Sequence, residues 1–280
     1  MRRFTLWVLL FTAVSSLCTA QQSNEDYVSR MEKEHATDEP VASPASQVAP
    51  EIEIVSQDGT YAEIDGKEII GYVAHPKGEI PKAGLIVIHE WWGLNDNVKA
   101  MARRLAGAGY LALAVDLYEG EVAEDRTDAS RLARGSGQRT EQILDNLSQA
   151  IEHLRSAGVE RIGVIGWCFG GGWSLRTALA FPDKVDATVI YYGRLTTDPE
   201  ELQNLASPVL GIFGALDEGI PVATVREFQA ALEALDKEAA IHIYENADHA
   251  FANPSGTRYN EVAAEDAWVK TLAFFTQRLR

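Results

Sequence analysis

Hydrophobic and polar positions change period several times along this chain, and each change marks an element. Residues 84–88 form an unbroken apolar run, as do 162–165 and 208–213, and 187–192 is interrupted only by Thr188. Runs of this length, β-branched and bounded by turn residues, predict strands buried on both faces of a parallel sheet. Between them the period lengthens to that of a helix. Ile143, Leu144, Leu147, Ile151 and Leu154 line one face of a helix predicted over 140–157, which Gly158 ends. Helices are likewise predicted over 98–107, 171–180, 221–235 and 260–279, the last with Trp268, Leu272 and Phe275 on one face. Ahead of the first buried strand, Ile52 and Ile54 alternate with polar residues, and turn signals at Asp58-Gly59 and Asp65-Gly66 predict an antiparallel ribbon. Residues 119–137 are charged and carry glycine, and they read as a surface loop over the site. Strands alternating with helices at this spacing predict an α/β fold, a mostly parallel central sheet with helices on both faces.

The two ends of the chain differ in texture. Met1 to Ala20 combines Arg2 and Arg3 with an apolar stretch over Phe4–Val14 and small residues at its end. This pattern predicts a secretory signal peptide over 1–20, and hence an exported, periplasmic or extracellular protein. An uncleaved anchor and a lipid-modified Cys18 are the alternatives. Residues 21–50 are polar and punctuated by Pro40, Pro44 and Pro50, and they read as a disordered linker or tail, with His35 solvated. A single catalytic domain then occupies 51–280.

Charge excludes some functions. The net charge is −16, and −18 once Arg2 and Arg3 are removed, which argues against nucleic acid and anionic membrane surfaces as partners. Of the two cysteines, Cys18 and Cys168, only the second survives signal removal, so the mature chain has no internal disulfide.

That cysteine lies in Gly166-Trp167-Cys168-Phe169-Gly170, between a predicted strand and a predicted helix. G-x-C-x-G in this setting is a nucleophile elbow with a thiol in place of a hydroxyl. Partial positive charge at the helix N-terminus favours a thiolate. The partners of such a nucleophile follow in the order acid, then histidine. Asp217 follows the strand ending at Phe213, and His249 follows the one ending at Tyr244. Asp186 and Asp248 compete as the acid, and His75, His89, His153 and His242 as the base, but topology favours Asp217 and His249. In these roles Cys168 attacks a carbonyl, His249 transfers its proton and Asp217 fixes the tautomer of His249. The oxyanion hole combines the N–H of Phe169 with that of Trp91. His89-Glu90 lacks the second histidine of H-E-x-x-H, since Gly93 stands there, so no metal and no other cofactor is expected.

Taken together, His89-Glu90-Trp91-Trp92-Gly93-Leu94-Asn95, Asp116-Leu117-Tyr118, Gly166 to Gly171, Asp217 and His249-Ala250-Phe251 resemble the dienelactone hydrolase family. The resemblance spans about Glu51 to Arg280. It implies an α/β-hydrolase fold and a triad of Cys168, Asp217 and His249. It also implies a carboxylate, Glu90, that takes part in activating the thiol, and a pocket lined by Trp92, Tyr118 and Phe251. The expected partner is a small ester or lactone; the oligomeric state is left open. Two family arginines that grip a substrate carboxylate are not matched, because Glu119-Gly120 and Asn253 stand at those places. Arg258 and Arg126 are the candidate substitutes. The alternatives to hydrolysis are a catalytically silent relative used for binding and a thiol-dependent acyl transferase.

Overall fold

The computed structural model describes residues 24–280. The predicted signal peptide lies outside the described residues. The sheet is built from β1 (Ile54–Ile64), β2 (Lys67–Pro76), β3 (Ala83–Ile88), β4 (Leu111–Val115), β5 (Arg161–Trp167), β6 (Ala187–Tyr191), β7 (Val209–Gly214) and β8 (Ala239–Tyr244). Their order across it is β1-β2-β4-β3-β5-β6-β7-β8. β1 and β2 pair antiparallel, as do β2 and β4; every later pair is parallel. The apolar runs are the central strands: every residue of β3, β4, β6 and β7 is buried.

The helices are α1 (residues 24–34), α2 (Asp96–Gly107), α3 (Arg126–Gln138), α4 (Thr140–Ser156), α5 (Phe169–Ala180), α6 (Pro199–Leu202), α7 (Val222–Ala234) and α8 (Glu261–Leu279). α2 and α8 meet through Arg104, which pairs with Glu265 and lies over the Trp268 ring. α4 and α5 pack against each other and against the sheet. Side chains set the helix starts: Asn95 accepts from the N–H of Val98, and Asn260 from that of Ala263.

Two segments depart from the sequence reading. Residues 126–138 are helical, not loop. Asp125 caps the N-terminus through the Asp128 N–H, and Ala129, Leu132, Ala133 and Ser136 form a narrow buried stripe. Small residues in that stripe and glycines beside it hid the period. The second departure is the expected linker. Residues 24–34 form α1, and Tyr27, Val28 and Met31 on it are buried. The chain then runs along residues 254–258, where the Ser43 N–H donates to Ser255 Oγ at 2.7 Å and the Ser43 hydroxyl to the Pro254 carbonyl at 3.0 Å.

Strand order determines where chemistry can sit. The chain passes from β3 to β4 on one side, then returns to β5 on the other. This is a topological switch point, where ligands bind beyond the carboxyl ends of the strands. Ile88 of β3 pairs with Gly166 of β5, which brings Glu90 and Cys168 out of the sheet side by side.

Candidate active site

Cys168 is the turn between β5 and α5. Its backbone has φ 53° and ψ −115°, a region that L-residues rarely occupy. Neighbouring chain forces the turn. A Cβ on Gly166 would stand 2.2 Å from the Gly170 carbonyl oxygen, and one on Gly170 would stand 2.4 Å from that of Ile88. Only glycine fits on either side, so the chain turns sharply and the thiol projects from the sheet at the first turn of α5.

Asp217 follows β7 and His249 follows β8, which brings them together. His249 Nδ1 donates to Asp217 Oδ2 at 2.8 Å, and the Ile220 N–H donates to the other carboxylate oxygen at 2.7 Å. Both side chains are fully buried. Burial opposes charge on His249, but Asp217 and the Cys168 sulfur outweigh it and hold its pKa well above the usual value. Burial likewise pushes the Cys168 thiol up, and the His249 and His35 imidazoles pull it further down. Both shifts favour a thiolate beside an imidazolium. Of the rival acids, Asp186 pairs with Arg161 at 2.7 Å on the surface, and Asp248 accepts from the His249 backbone N–H.

His89 is fully engaged. Nδ1 donates to the Glu90 carbonyl at 2.6 Å, and Nε2 accepts from the Leu117 N–H at 3.2 Å. Burial lowers its pKa to about 4, so it is a neutral spacer that fixes two loops and has no lone pair left for a metal. Trp91 and Trp92 pack edge to face at 5.1 Å. Tyr118 lies against His89 and Phe169, and Phe251 against Tyr192. All four are buried.

Glu90 is buried, with Oε2 accepting from Asn253 Nδ2 at 2.6 Å. Asn253 therefore holds the Glu90 carboxylate. Burial first, and the Cys168 charge second, push Glu90 up to about 7. A carboxyl whose folded pKa exceeds its unfolded value binds its proton more tightly when folded. Its stabilising contribution is complete below about pH 4.5 and is lost as pH rises through 7. Glu90→Gln removes that loss. At pH 8 the variant is expected to be more stable than the wild type, by up to about 3 kcal/mol, with the gap closing near pH 4. Thermal melts at the two pH values check this; a difference independent of pH would mean that another group titrates.

The residue that sequence reasoning missed is His35, expected to be solvated. It is 0% exposed, stacked on Trp91 at 4.7 Å, with Nε2 3.6 Å from Cys168 Sγ. Its Nδ1 lies 2.8 Å from Asp38 Oδ2, and Met31 Sδ is 3.7 Å from Sγ. Residues 24–38 thus form a strap across the site. Arg258 holds it by ion pairs to Glu34 at 2.8 Å and Asp38 at 3.1 Å, and Arg134 of α3 holds it by pairs to Glu25 and Glu32. Arg258, a candidate grip for a substrate carboxylate, is committed to two carboxylates of the strap. Arg126 lies exposed at the start of α3. The signal for the strap was Tyr27, Val28, Met31 and His35 at helical spacing, set among charges that made the segment look fully polar.

The elbow, the late acid and the histidine after the last strand, set on this sheet, define an α/β-hydrolase. The chain belongs to the dienelactone hydrolase family, whose description, "Dienelactone hydrolase family", matches residues 69–279. It is 34% identical over 251 residues to a Saccharolobus solfataricus protein named "Putative carboxymethylenebutenolidase", covering 76% of this chain and 96% of that one. It is 32% identical over 225 residues to "Protein usf" of Aquifex pyrophilus, covering 78% and 96%. A crystal structure titled "Putative Dienelactone Hydrolase", from Klebsiella pneumoniae, superposes with a TM-score of 0.72 at 30% identity, covering 80% of this chain and 99% of that one. The protein is a hydrolase of this family, and its substrate is a small molecule.

Proposed function

We propose that this hydrolase cleaves a carboxylic ester or lactone through a thioester on Cys168. The observation that carries the reading is the 2.8 Å contact between His249 Nδ1 and Asp217 Oδ2, in a buried pair beside the thiol. Sγ attacks the carbonyl carbon, and the oxyanion that forms is met by the backbone N–H groups of Phe169 and Trp91. His249 passes the thiol proton to the leaving alkoxide. It then takes a proton from water, whose oxygen attacks the thioester and releases the acid and the free thiol. Trp92, Tyr118 and Phe251 form the apolar wall, and Glu90 supports the activation of the thiol. Asn253 in place of an arginine turns specificity away from substrates gripped by their carboxylate. Export of the mature chain, from Gln21 onward, is part of the proposal. Fractionation of cells expressing the full chain checks it, and a cytoplasmic full-length protein would overturn it.

The test is hydrolysis of an activated acetate ester and a small lactone, with and without a thiol alkylator. Turnover that survives complete alkylation would exclude a cysteine nucleophile. Asp217→Asn leaves an amide whose N–H can face Nδ1 and select the wrong tautomer of His249. The expected fall in kcat is about 10⁴-fold with the fold retained. An unchanged kcat would remove Asp217 from the triad.

A further inference from the structure

The Cys168 sulfur has more partners than acyl transfer uses. One ring nitrogen each of His35 and His249 and the Cys168 Sγ lie within 4.8 Å of one another, all three residues buried. His35 Nδ1 is held by Asp38 at 2.8 Å, and His249 Nδ1 by Asp217 at 2.8 Å. An imidazole that gives its Nδ1–H to a carboxylate presents Nε2 as a fixed lone pair. Metal-binding histidines are oriented in this way. His249 Nε2 is buried and has no hydrogen-bond partner. A thiol hydrolase needs one histidine so arranged; this site has two, the second supplied by the strap.

Distance and charge agree with an ion. With Zn–S about 2.3 Å and Zn–N about 2.0–2.1 Å, two ligands on a tetrahedral ion stand roughly 3.5 Å apart. The Sγ to His35 Nε2 separation is 3.6 Å. The other separations all lie within 4.8 Å. Met31 Sδ, 3.7 Å from Sγ, adds a soft donor, and thiolate with thioether and imidazole is a set that selects thiophilic metals. The carboxylates of Asp38, Asp217 and Glu34 stand around the cluster, with Arg258 as the counter-charge to two of them.

We infer that Cys168, His249 and the strap residue His35 form a binding site for a thiophilic transition-metal ion such as Zn²⁺, with Met31 as a weak further donor. On binding, the proton that Cys168 and His249 share leaves to solvent, which frees Nε2 and the thiolate, and sulfur–metal and nitrogen–metal bonds form with no change of oxidation state. The ion occupies both Sγ and His249 Nε2, the lone pairs that acyl transfer needs, so the metal-bound and hydrolytic states exclude each other. The ion also ties the strap to the body and shields a lone thiol from oxidation. This inference does not depend on hydrolysis.

Metal binding tests it directly, using the mature chain stripped by chelator and shown to carry one free thiol in denaturant. Co²⁺ is the coloured probe and Zn²⁺ the competitor. The expected result is one Co²⁺ per chain with an intense thiolate-to-cobalt absorption in the near ultraviolet, removed by one equivalent of Zn²⁺. The band is absent in Cys168→Ala. His35→Gln weakens binding by at least about 100-fold and Asp38→Asn by about 10–100-fold, the range for losing an orienting carboxylate. Zn²⁺ raises the Tm of the wild type and not that of His35→Gln, which controls for variants that fold poorly. Absence of the band in a folded wild type with a free thiol would overturn the inference. Co²⁺ bound equally well by a folded His35→Gln would overturn it too, by removing the strap from the site.

Discussion

Cys168→Ala is expected to lower ester and lactone turnover by at least about 10⁴-fold, to the level that a binding site without a nucleophile provides. No neighbouring group can replace the sulfur. The turn holds position 168 at φ 53°, and the glycines on either side have no room for another side chain. Folding should survive, because one buried sulfur is lost from a well-packed site and alanine keeps the Cβ. A cost on the order of 1 kcal/mol is expected, partly offset because no charge then needs burying. Steady-state rates and a thermal melt check both halves. A Cys168→Ala protein as active as the wild type would remove the nucleophile assignment and, with it, the thioester.

The second large effect concerns access. Cys168 and His249 are 0% exposed, so an acyl group reaches Sγ only when the strap moves. The cleft of about 580 Å³ beside the strap is lined by Tyr27, Phe169, Trp173 and Arg194, not by the thiol. Opening the strap exposes Tyr27, Val28 and Met31, but it returns the conformational entropy of residues 24–38. Such segments open far more readily than a core. Arg258 is the pin. Arg258→Met leaves the largely buried Glu34 without its cation and removes one of the partners of Asp38, which keeps His35 and Thr257, and the Glu34 carboxylate is relieved by moving out to water. Alkylation of Cys168 by a small neutral reagent is expected to speed up by about 10–100-fold, equivalent to roughly 1.4–2.8 kcal/mol of opening free energy. With the strap held less firmly, KM for a neutral ester should fall. An alkylation rate unchanged in Arg258→Met would mean that access to the thiol does not run through the strap.

The parts of this site that could be read from the sequence are those specified by local rules. Gly166 flanks Cys168 because the turn itself admits no Cβ there, whereas the matching constraint on Gly170 comes from the Ile88 and His89 carbonyls of the neighbouring strand end. The central strands were legible because a strand buried on both faces must be almost wholly apolar, and the one hydroxyl buried in β6, on Thr188, is hydrogen-bonded to Ser207. The order of elbow, acid and histidine is the pattern of the α/β-hydrolase fold, so Asp217 and His249 could be placed after β7 and β8. α3 was not legible, because its stripe is built from alanine, serine and one leucine, which carry little hydrophobic signal. Asn253 could be seen as a missing arginine, but not as the partner of Glu90. That hydrogen bond joins residues on two loops far apart in sequence.

By itself the sequence determined the α/β class, the family and the residues that can do acyl chemistry, because each is specified by periodicity or by short motifs within one strand–turn–helix unit. Only the tertiary structure decided what lies against the sulfur. Tyr27, Val28, Met31 and His35 have no apolar partner within their own segment, so as sequence they read as a polar tail. Their partner is the mouth of a site whose residues lie from 56 positions (Trp91) to 214 positions (His249) beyond His35. Burial there turns a solvent-facing histidine into one held between Trp91, Asp38 and the Cys168 thiol. A contact of that kind is set by the free energy of packing in the assembled fold, and no local pattern encodes it.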